Sequence, residues 1–251
     1  MTAFLFVTDL DNTLVGDDTA LVELNQKLSQ HRQDHGTKIV YATGRSLFLY
    51  RQLTTEKQLL SPDALVTAVG TEIYFNPNED NFSPEWAQVL SQKWNREQVV
   101  ATAAHYSDLV SQPDSEQRPF KVSYYLTPQA ATEVLPKLES ALQAKDLNFK
   151  LVYSGDKDLD ILPLKGDKGL AVQFLRQKWG VDAQQTVVCG DSGNDIALFS
   201  VGEERGIIVG NARPELRQWY EANKTDYRYL AQVQCAGGII EGLNHFGFLS
   251  N

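Results

Sequence analysis

Ala3-Phe4-Leu5-Phe6-Val7-Thr8-Asp9-Leu10-Asp11-Asn12-Thr13-Leu14 is an apolar strand signal that empties into an acidic turn. The run from Ala3 to Val7 is unbroken, the pattern of a strand covered on both faces. Because side chains alternate along a strand, Asp9 and Asp11 share one face at its exit. Two carboxylates so placed can bring a cation and a nucleophile together. A lone D-x-D is also a common turn, so the weight falls on what the rest of the chain supplies. An EF-hand loop does not fit, since Leu14 and Ala20 stand where it needs Gly and Glu.

Working outward, strand and helix signals alternate. A helix is predicted over 20–33, a strand over 38–43 ending in Gly44-Arg45, a helix over 46–60 and strands over 64–69 and 71–75. This β-α-β-α-β order predicts an α/β fold with a Rossmann-like parallel-sheet core and helices on both faces. Asn76-Pro77-Asn78-Glu79-Asp80-Asn81 reads as a linker with little to bury, and a domain boundary is placed there. Beyond it, residues 81–162 read as an α+β insertion. It has a helix from Ser83-Pro84, one over 97–110, a strand over 119–126, a helical stretch over 128–145 and strands over 149–153 and 158–162. Pro136 predicts that the 128–145 helix is kinked or starts late. Strand and helix then alternate again, with helices over 167–179 and from 195, 214 and 238, and strands over 186–191, 205–209 and near 228. The core is thus 1–80 with 163–251.

The 251 residues carry a formal net charge of −9 and 42% hydrophobic content, with no apolar run long enough to span a bilayer. The acidic balance argues against a nucleic-acid partner. Cys189 and Cys235 stand in no metal or redox spacing and read as buried small hydrophobes. With no basic n-region or long apolar h-region at the start, a cytoplasmic location is expected, with no membrane partner. An acidic protein that handles an anionic substrate needs a metal or well-placed lysines to cancel local repulsion.

Three strand ends carry polar clusters: Asp9/Asp11, Thr43-Gly44-Arg45 and Gly190-Asp191-Ser192-Gly193-Asn194-Asp195. In an open parallel sheet ligands bind off the carboxyl ends of the strands, so the three converge on one crevice. The 191–195 turn offers oxygen ligands suited to a hard cation such as Mg²⁺, although it would serve equally as a helix cap. Lys168, at a helix start, adds a cation at the positive end of a helix dipole; Lys165 competes for that role.

The four motifs, Asp9-Leu10-Asp11-Asn12-Thr13, Thr43-Gly44-Arg45, Lys168 and Gly190 to Asp195, stand in the order found in the haloacid dehalogenase (HAD) superfamily, which the chain resembles. The resemblance implies that Asp9 attacks phosphorus, that Asp11 shuttles protons, and that Asp9, Asp191 and the Asp11 main-chain carbonyl hold Mg²⁺, supported by Asp195 and Asn194. It also implies that Thr43, Gly44 and Lys168 hold the transferring phosphoryl group. The insertion matches the larger (C2) cap type of that superfamily. Tyr41-Ala42-Thr43-Gly44-Arg45-Ser46, Val69 to Tyr74, Lys121 to Tyr125, Ser154 to Pro163 and Gly206 to Ala212 are similar to the cyanobacterial sucrose-phosphate phosphatase family.

That similarity implies hydrolysis of sucrose 6-phosphate through an aspartyl phosphate. Sugar hydroxyls would be bound by Glu72 from the core and by Lys121, Asp158 and Asp160 from the cap, with Gly44, Arg45 and Asn194 also at the substrate. Asp158 and Asp160 stand two apart on a predicted strand and can share one cleft; an exposed strand face paired with Lys121 is the plainer alternative. Position 71 carries Thr where relatives carry Ser, which keeps the hydroxyl. Trp86, Trp94, Trp179 and Trp219 read as packing residues rather than sugar platforms. The rival readings are a phosphatase for another sugar phosphate, such as a mannosylglycerate or trehalose precursor, and a non-catalytic regulatory domain that binds a sucrose-phosphate synthase. A monomer is expected.

Overall fold

A computed structural model describes residues 2–249. In chain order the elements are β1 (Leu5–Thr8), α1 (Asp18–His35), β2 (Lys38–Ala42), α2 (Leu47–Glu56), β3 (Ala64–Thr67) and β4 (Glu72–Tyr74), then α3 (Pro84–Leu90) and α4 (Arg96–Ala103). There follow β5 (Val110–Ser111), β6 (Val122–Tyr125), α5 (Pro128–Gln143), β7 (Phe149–Ser154), β8 (Asp158–Pro163) and α6 (Lys168–Trp179). The chain closes with β9 (Thr186–Gly190), α7 (Ile196–Ser200), β10 (Arg205–Ile208), α8 (Pro214–Ala222), β11 (Arg228–Leu230) and α9 (Cys235–His245).

The large sheet runs β11-β10-β9-β1-β2-β3-β4, parallel throughout except for β4, which pairs antiparallel with β3 at the edge. The opening strand is central, with β2 and β9 on its two sides, so Leu5, Phe6 and Val7 are fully buried. Apolar side chains that alternate along the strands feed two clusters. Phe6, Ile39, Leu65 and Cys189 face one helix layer, and Val7, Val40, Val66 and Val188 the other. The helices between them start where the sequence supplies caps: Asp17, Ser46 and Asp167 each accept a backbone N–H of the first turn. Helix α1 ends on Gly36 at φ 80°.

The second sheet, β5-β6-β8-β7, is antiparallel and packs on α4 and α5 around Val99, Val122, Leu138, Leu142, Leu159 and Ile161. Helix α5 begins at Pro128 and runs through Pro136 to Gln143 as one element. The helix predicted over 97–110 stops at Ala103, after which apolar periodicity fails and the chain turns into the short strand β5.

The boundary expected at Asn76–Asn81 differs from the packing. Arg51 folds that segment back by donating to the carbonyls of Pro77 and Glu79 and by pairing with Asp80. Helix α3 then lies on the large sheet: Trp86 and Leu90 join the cluster of Val66 and Ile73, and the Trp86 indole N–H donates to the Gly70 carbonyl at 3.0 Å. Burial of an indole outweighs the turn chemistry before it, so by packing the insertion begins beyond Leu90. Among the described residues no helix is long and apolar enough to cross a membrane.

Candidate active site

The carboxyl ends of β1, β2 and β9 open onto one cleft of about 550 Å³, roofed by the second sheet. Asp9, Asp11, Gly44, Arg45, Asp191 and Asn194 line its floor, and Lys121, Asp158 and Asp160 its roof. Asp9 follows β1 directly and its N–H donates to the Cys189 carbonyl, which locks the nucleophile candidate to the neighbouring strand. Asn12 takes φ 58°, a left-handed conformation that asparagine tolerates, and the carbonyl of Leu10 accepts the N–H groups of Thr13, Leu14 and Val15. The acidic turn is therefore tightly wound, and the Thr13 hydroxyl donates to Asp191 Oδ1 at 3.0 Å, joining the two acidic segments.

Beneath the cleft floor lies Lys168, with no exposed surface. Its Nζ donates to Asp9 Oδ1 at 2.7 Å, Asp195 Oδ1 at 2.7 Å and Asn194 Oδ1 at 3.0 Å. It reaches this position because α6 begins directly against the turn after β3: Gly70 has φ 97°, and a Cβ there would lie 2.1 Å from the Asp167 carbonyl carbon. Lys165 is exposed and donates to Gln92, away from the cleft. Thr43 is fully buried, and its hydroxyl oxygen accepts the Arg45 N–H at 3.1 Å.

Asp9, Asp191 and Asp195 bring carboxylate oxygens within 4.8 Å of one another, and all three are buried. Burial, opposed by Lys168 and reinforced by Asp195, pushes the Asp9 carboxyl up to about 8. Burial and the nearby Asp195 likewise push Asp191 up to about 6, against the Thr13 hydrogen bond. Burial alone would lower the Lys168 ammonium, but Asp195 and Asp9 more than offset it and hold it above the ordinary lysine range. Three carboxylates facing one ammonium leave an excess of negative charge, the donor set of a hard dication. Among the described residues Asp9 Oδ2 and Asp191 Oδ2 accept no hydrogen bond, and both residues line the cleft, so each has an oxygen to offer. Asp195 is more heavily engaged: Oδ1 accepts from Lys168 and Oδ2 from the N–H groups of Asp191 and Ser192, so it orients Lys168 and the 191–192 backbone while standing in the same acidic cluster.

Two further residues are engaged with partners of their own. Glu72 lies outside the cleft, fully buried, and its oxygens accept from Arg118 Nε at 2.6 Å, Tyr74 OH at 2.9 Å and Thr67 Oγ1 at 3.1 Å. Through these bonds it ties the insertion's 118–121 turn to the edge of the large sheet. Arg45, read as a substrate contact, holds Asp11 with a bidentate pair, Nε to Oδ2 at 2.8 Å and Nη2 to Oδ1 at 2.7 Å. In the roof, Lys121 is buried between Glu116 at 3.6 Å and Asp160 at 3.4 Å, so Asp160 pairs with Lys121 while lining the cleft, on a buried rather than an exposed strand face. Asp160 also accepts from Ser123 at 2.6 Å, and Asp158 from Gln112 at 3.0 Å. Glu116, Lys157 and Arg213 line the cleft as well; Lys157 falls within the family-like stretch Ser154 to Pro163, whereas Glu116 and Arg213 stand in no motif that marks them. None of the four tryptophans lines it.

A family model described as sucrose-6F-phosphate phosphohydrolase matches residues 2–247. The chain belongs to that family. Among the relatives of this sucrose-6F-phosphate phosphohydrolase family member, probable sucrose-phosphatase 2 of Arabidopsis thaliana is 38% identical over 96% of this chain and 59% of its own length. The chain thus spans about three fifths of such curated plant relatives. Mannosylfructose-phosphate phosphatase of Agrobacterium fabrum is 32% identical and matched over 97% of this chain and 96% of its own. The sucrose-phosphatase of Synechocystis sp. PCC6803, solved with sucrose and phosphate, superposes with a TM-score of 0.91 at 42% identity, covering 100% of both chains. A haloacid dehalogenase-like hydrolase of Bacillus subtilis shares the fold, with a TM-score of 0.69 at 18% identity, covering 97% of this chain and 92% of that one.

Proposed function

We propose that the chain is a Mg²⁺-dependent phosphatase that hydrolyses sucrose 6-phosphate to sucrose and orthophosphate through an aspartyl phosphate on Asp9. The observation that carries this reading is the buried Lys168 beside Asp9 and Asp191, opening on a cleft whose far wall is the polar cap face of Lys121, Asp158 and Asp160. Asp9 Oδ2 attacks phosphorus and the P–O bond to the sugar breaks. Asp11 gives its proton to the departing sugar oxygen, then takes one from water, whose oxygen attacks phosphorus and returns Asp9 as a carboxylate.

Asp9, Asp191 and the main-chain carbonyl of Asp11 would hold Mg²⁺, which when bound neutralises charge on the phosphoryl oxygens. Lys168, fixed by Asp195, opposes the upward push of burial on Asp9, an opposition that a bound dication would complete, and faces the phosphoryl group with Thr43 and the Gly44 backbone. For Asp11 to carry a proton, Arg45 has to release it, and an incoming phosphoryl group is a stronger partner for a guanidinium than a carboxylate half exposed to solvent. Arg45 therefore exchanges Asp11 for substrate.

The cap supplies selectivity. Buried carboxylates and Lys121 present both acceptors and a donor to sugar hydroxyls, and a site built on such hydrogen bonds discriminates strongly against ligands that lack them. The 32% match to a mannosylfructose-phosphate phosphatase along nearly the whole of both chains makes a second phosphorylated disaccharide the nearest rival substrate.

Rapid-quench turnover of radiolabelled substrate tests the chemistry. Protein-bound, alkali-labile phosphate should form before orthophosphate in the native chain and be absent in Asp9→Asn. Label that never joins the protein while orthophosphate is released would disprove the covalent step.

A further inference from the structure

The segment after β10, Val209-Gly210-Asn211-Ala212, has no part in the mechanism above, yet Asn211 reaches the acidic turn across 199 residues of sequence. Its Nδ2 donates to the main-chain carbonyl of Asn12 at 2.6 Å, and its Oδ1 accepts the Cys235 N–H at 2.9 Å. Both partners are strained: Asn12 has φ 58° and Cys235 φ 47°, left-handed backbone that costs a side-chain-bearing residue energy unless its surroundings hold it. The Cys235 thiol points at the same Asn12 carbonyl, at 3.6 Å. The Asn211 carboxamide, half-buried, thus bonds to both bends at once.

The consequence falls on Asp11. The carbonyl of Leu10, before it, is fixed by three backbone N–H groups, and the carbonyl of Asn12, after it, is fixed by Asn211. The Asp11 carbonyl between them accepts no hydrogen bond among the described residues and is free for a ligand. We infer that Asn211 is a positioning residue for the cation site: it fixes the Asn12 peptide so that the Asp11 main-chain carbonyl is preset beside Asp9 and Asp191. This rests on the reading of that carbonyl as a Mg²⁺ ligand given above.

Residues that orient a metal's ligands carry effects of about 10- to 100-fold on affinity or activity when removed. The test uses Asn211→Ala, which removes both bonds, and Asn211→Asp, which keeps the acceptor for Cys235 and loses the donor to Asn12. Thermal-shift titration with MgCl₂ in the absence of any substrate gives the cation midpoint, and the melting temperature in EDTA reports folding separately. Both variants should raise the Mg²⁺ midpoint at least about 10-fold, and lower kcat at fixed Mg²⁺ while KM for the phosphate ester stays within about threefold. A Mg²⁺ midpoint within twofold of the native chain in Asn211→Asp, whether or not the EDTA melting temperature falls, would overturn the inference. Because the titration contains no ester, a mistaken substrate assignment leaves its result untouched; a native chain that gives no Mg²⁺ shift at all would instead refute the cation reading.

Discussion

Asp9 and Asp11 stand two residues apart yet occupy different electrostatic settings. Asp9 is buried against an ammonium, whereas Asp11 is partly exposed and clasped by Arg45. Unequal environments allow two carboxylates to divide nucleophilic and proton-transfer work. Arg45→Gln should free Asp11 at the cost of substrate affinity, raising KM for the phosphate ester about tenfold or more with a smaller loss in kcat, as initial-rate kinetics would show. Glu72→Gln makes a contrasting case. It breaks a buried pair with Arg118 and should destabilise the fold by about 1–3 kcal/mol in urea unfolding, with KM changed less than about threefold. A large rise in KM with unaltered stability would restore Glu72 to the sugar site.

These residues also mark what could be read from the chain. Asp9 and Asp191 were legible because each ends an apolar run that can only be a central strand, and strand ends in such sheets gather at one crevice. Lys168 was legible from its place at a helix start. The clasp of Asp11 by Arg45, the burial of Glu72 under Arg118 and the capture of Asp195 by Lys168 were not, since each depends on which of several available partners the folded geometry brings within hydrogen-bond reach.

At the level of elements, the turn between β3 and β4 sets the position of the site's cation. Ala68 and Val69 adopt φ 50° and 61°, held by bonds from Ala68 N to the Arg45 carbonyl and from Val69 N to the Thr43 carbonyl. Gly70 then lets α6 approach so closely that no Cβ fits. Gly70→Ala must push Lys168 back from Asp9 while straining φ, and is expected to cost about 2–5 kcal/mol in denaturant unfolding and most of the activity. The fold class and nearly every core element were evident from alternating strand and helix signals. The insertion was harder to bound, because Asn76–Asn81 has the composition of a linker while Trp86, a few residues on, has the burial of a core residue. Composition reports what a segment can do locally, whereas the packing of one indole is a tertiary fact.

For the molecule as a whole, the acidic cluster makes the metal-free fold sensitive to pH. The Asp9 and Asp191 carboxyls titrate at about 8 and about 6, against 3.8 for an ordinary aspartate. Raised values mean that the folded chain holds more protons than the unfolded one across that window, so metal-free stability falls as pH rises from about 4 towards 8. A dication that relieves the repulsion should offset this loss. The gain in melting temperature on saturating MgCl₂ is therefore expected to be larger at about pH 8 than at about pH 5.5, and an equal gain at both would mean that these carboxylates do not share the ion.

In the proposed mechanism the labour of recognition is divided, with chemistry on the large sheet and sugar selection on the small one; the two sheets are joined by Arg118–Glu72 and by the Ser46 hydroxyl donating to Glu116 at 2.9 Å. The most direct measurement is orthophosphate release from equal concentrations of sucrose 6-phosphate and glucose 6-phosphate, each with MgCl₂ or with EDTA. Sucrose 6-phosphate should be turned over with kcat/KM at least about 10²-fold higher than glucose 6-phosphate, and only when Mg²⁺ is present. Equal turnover of the two esters, or undiminished release in EDTA, would contradict the assignment.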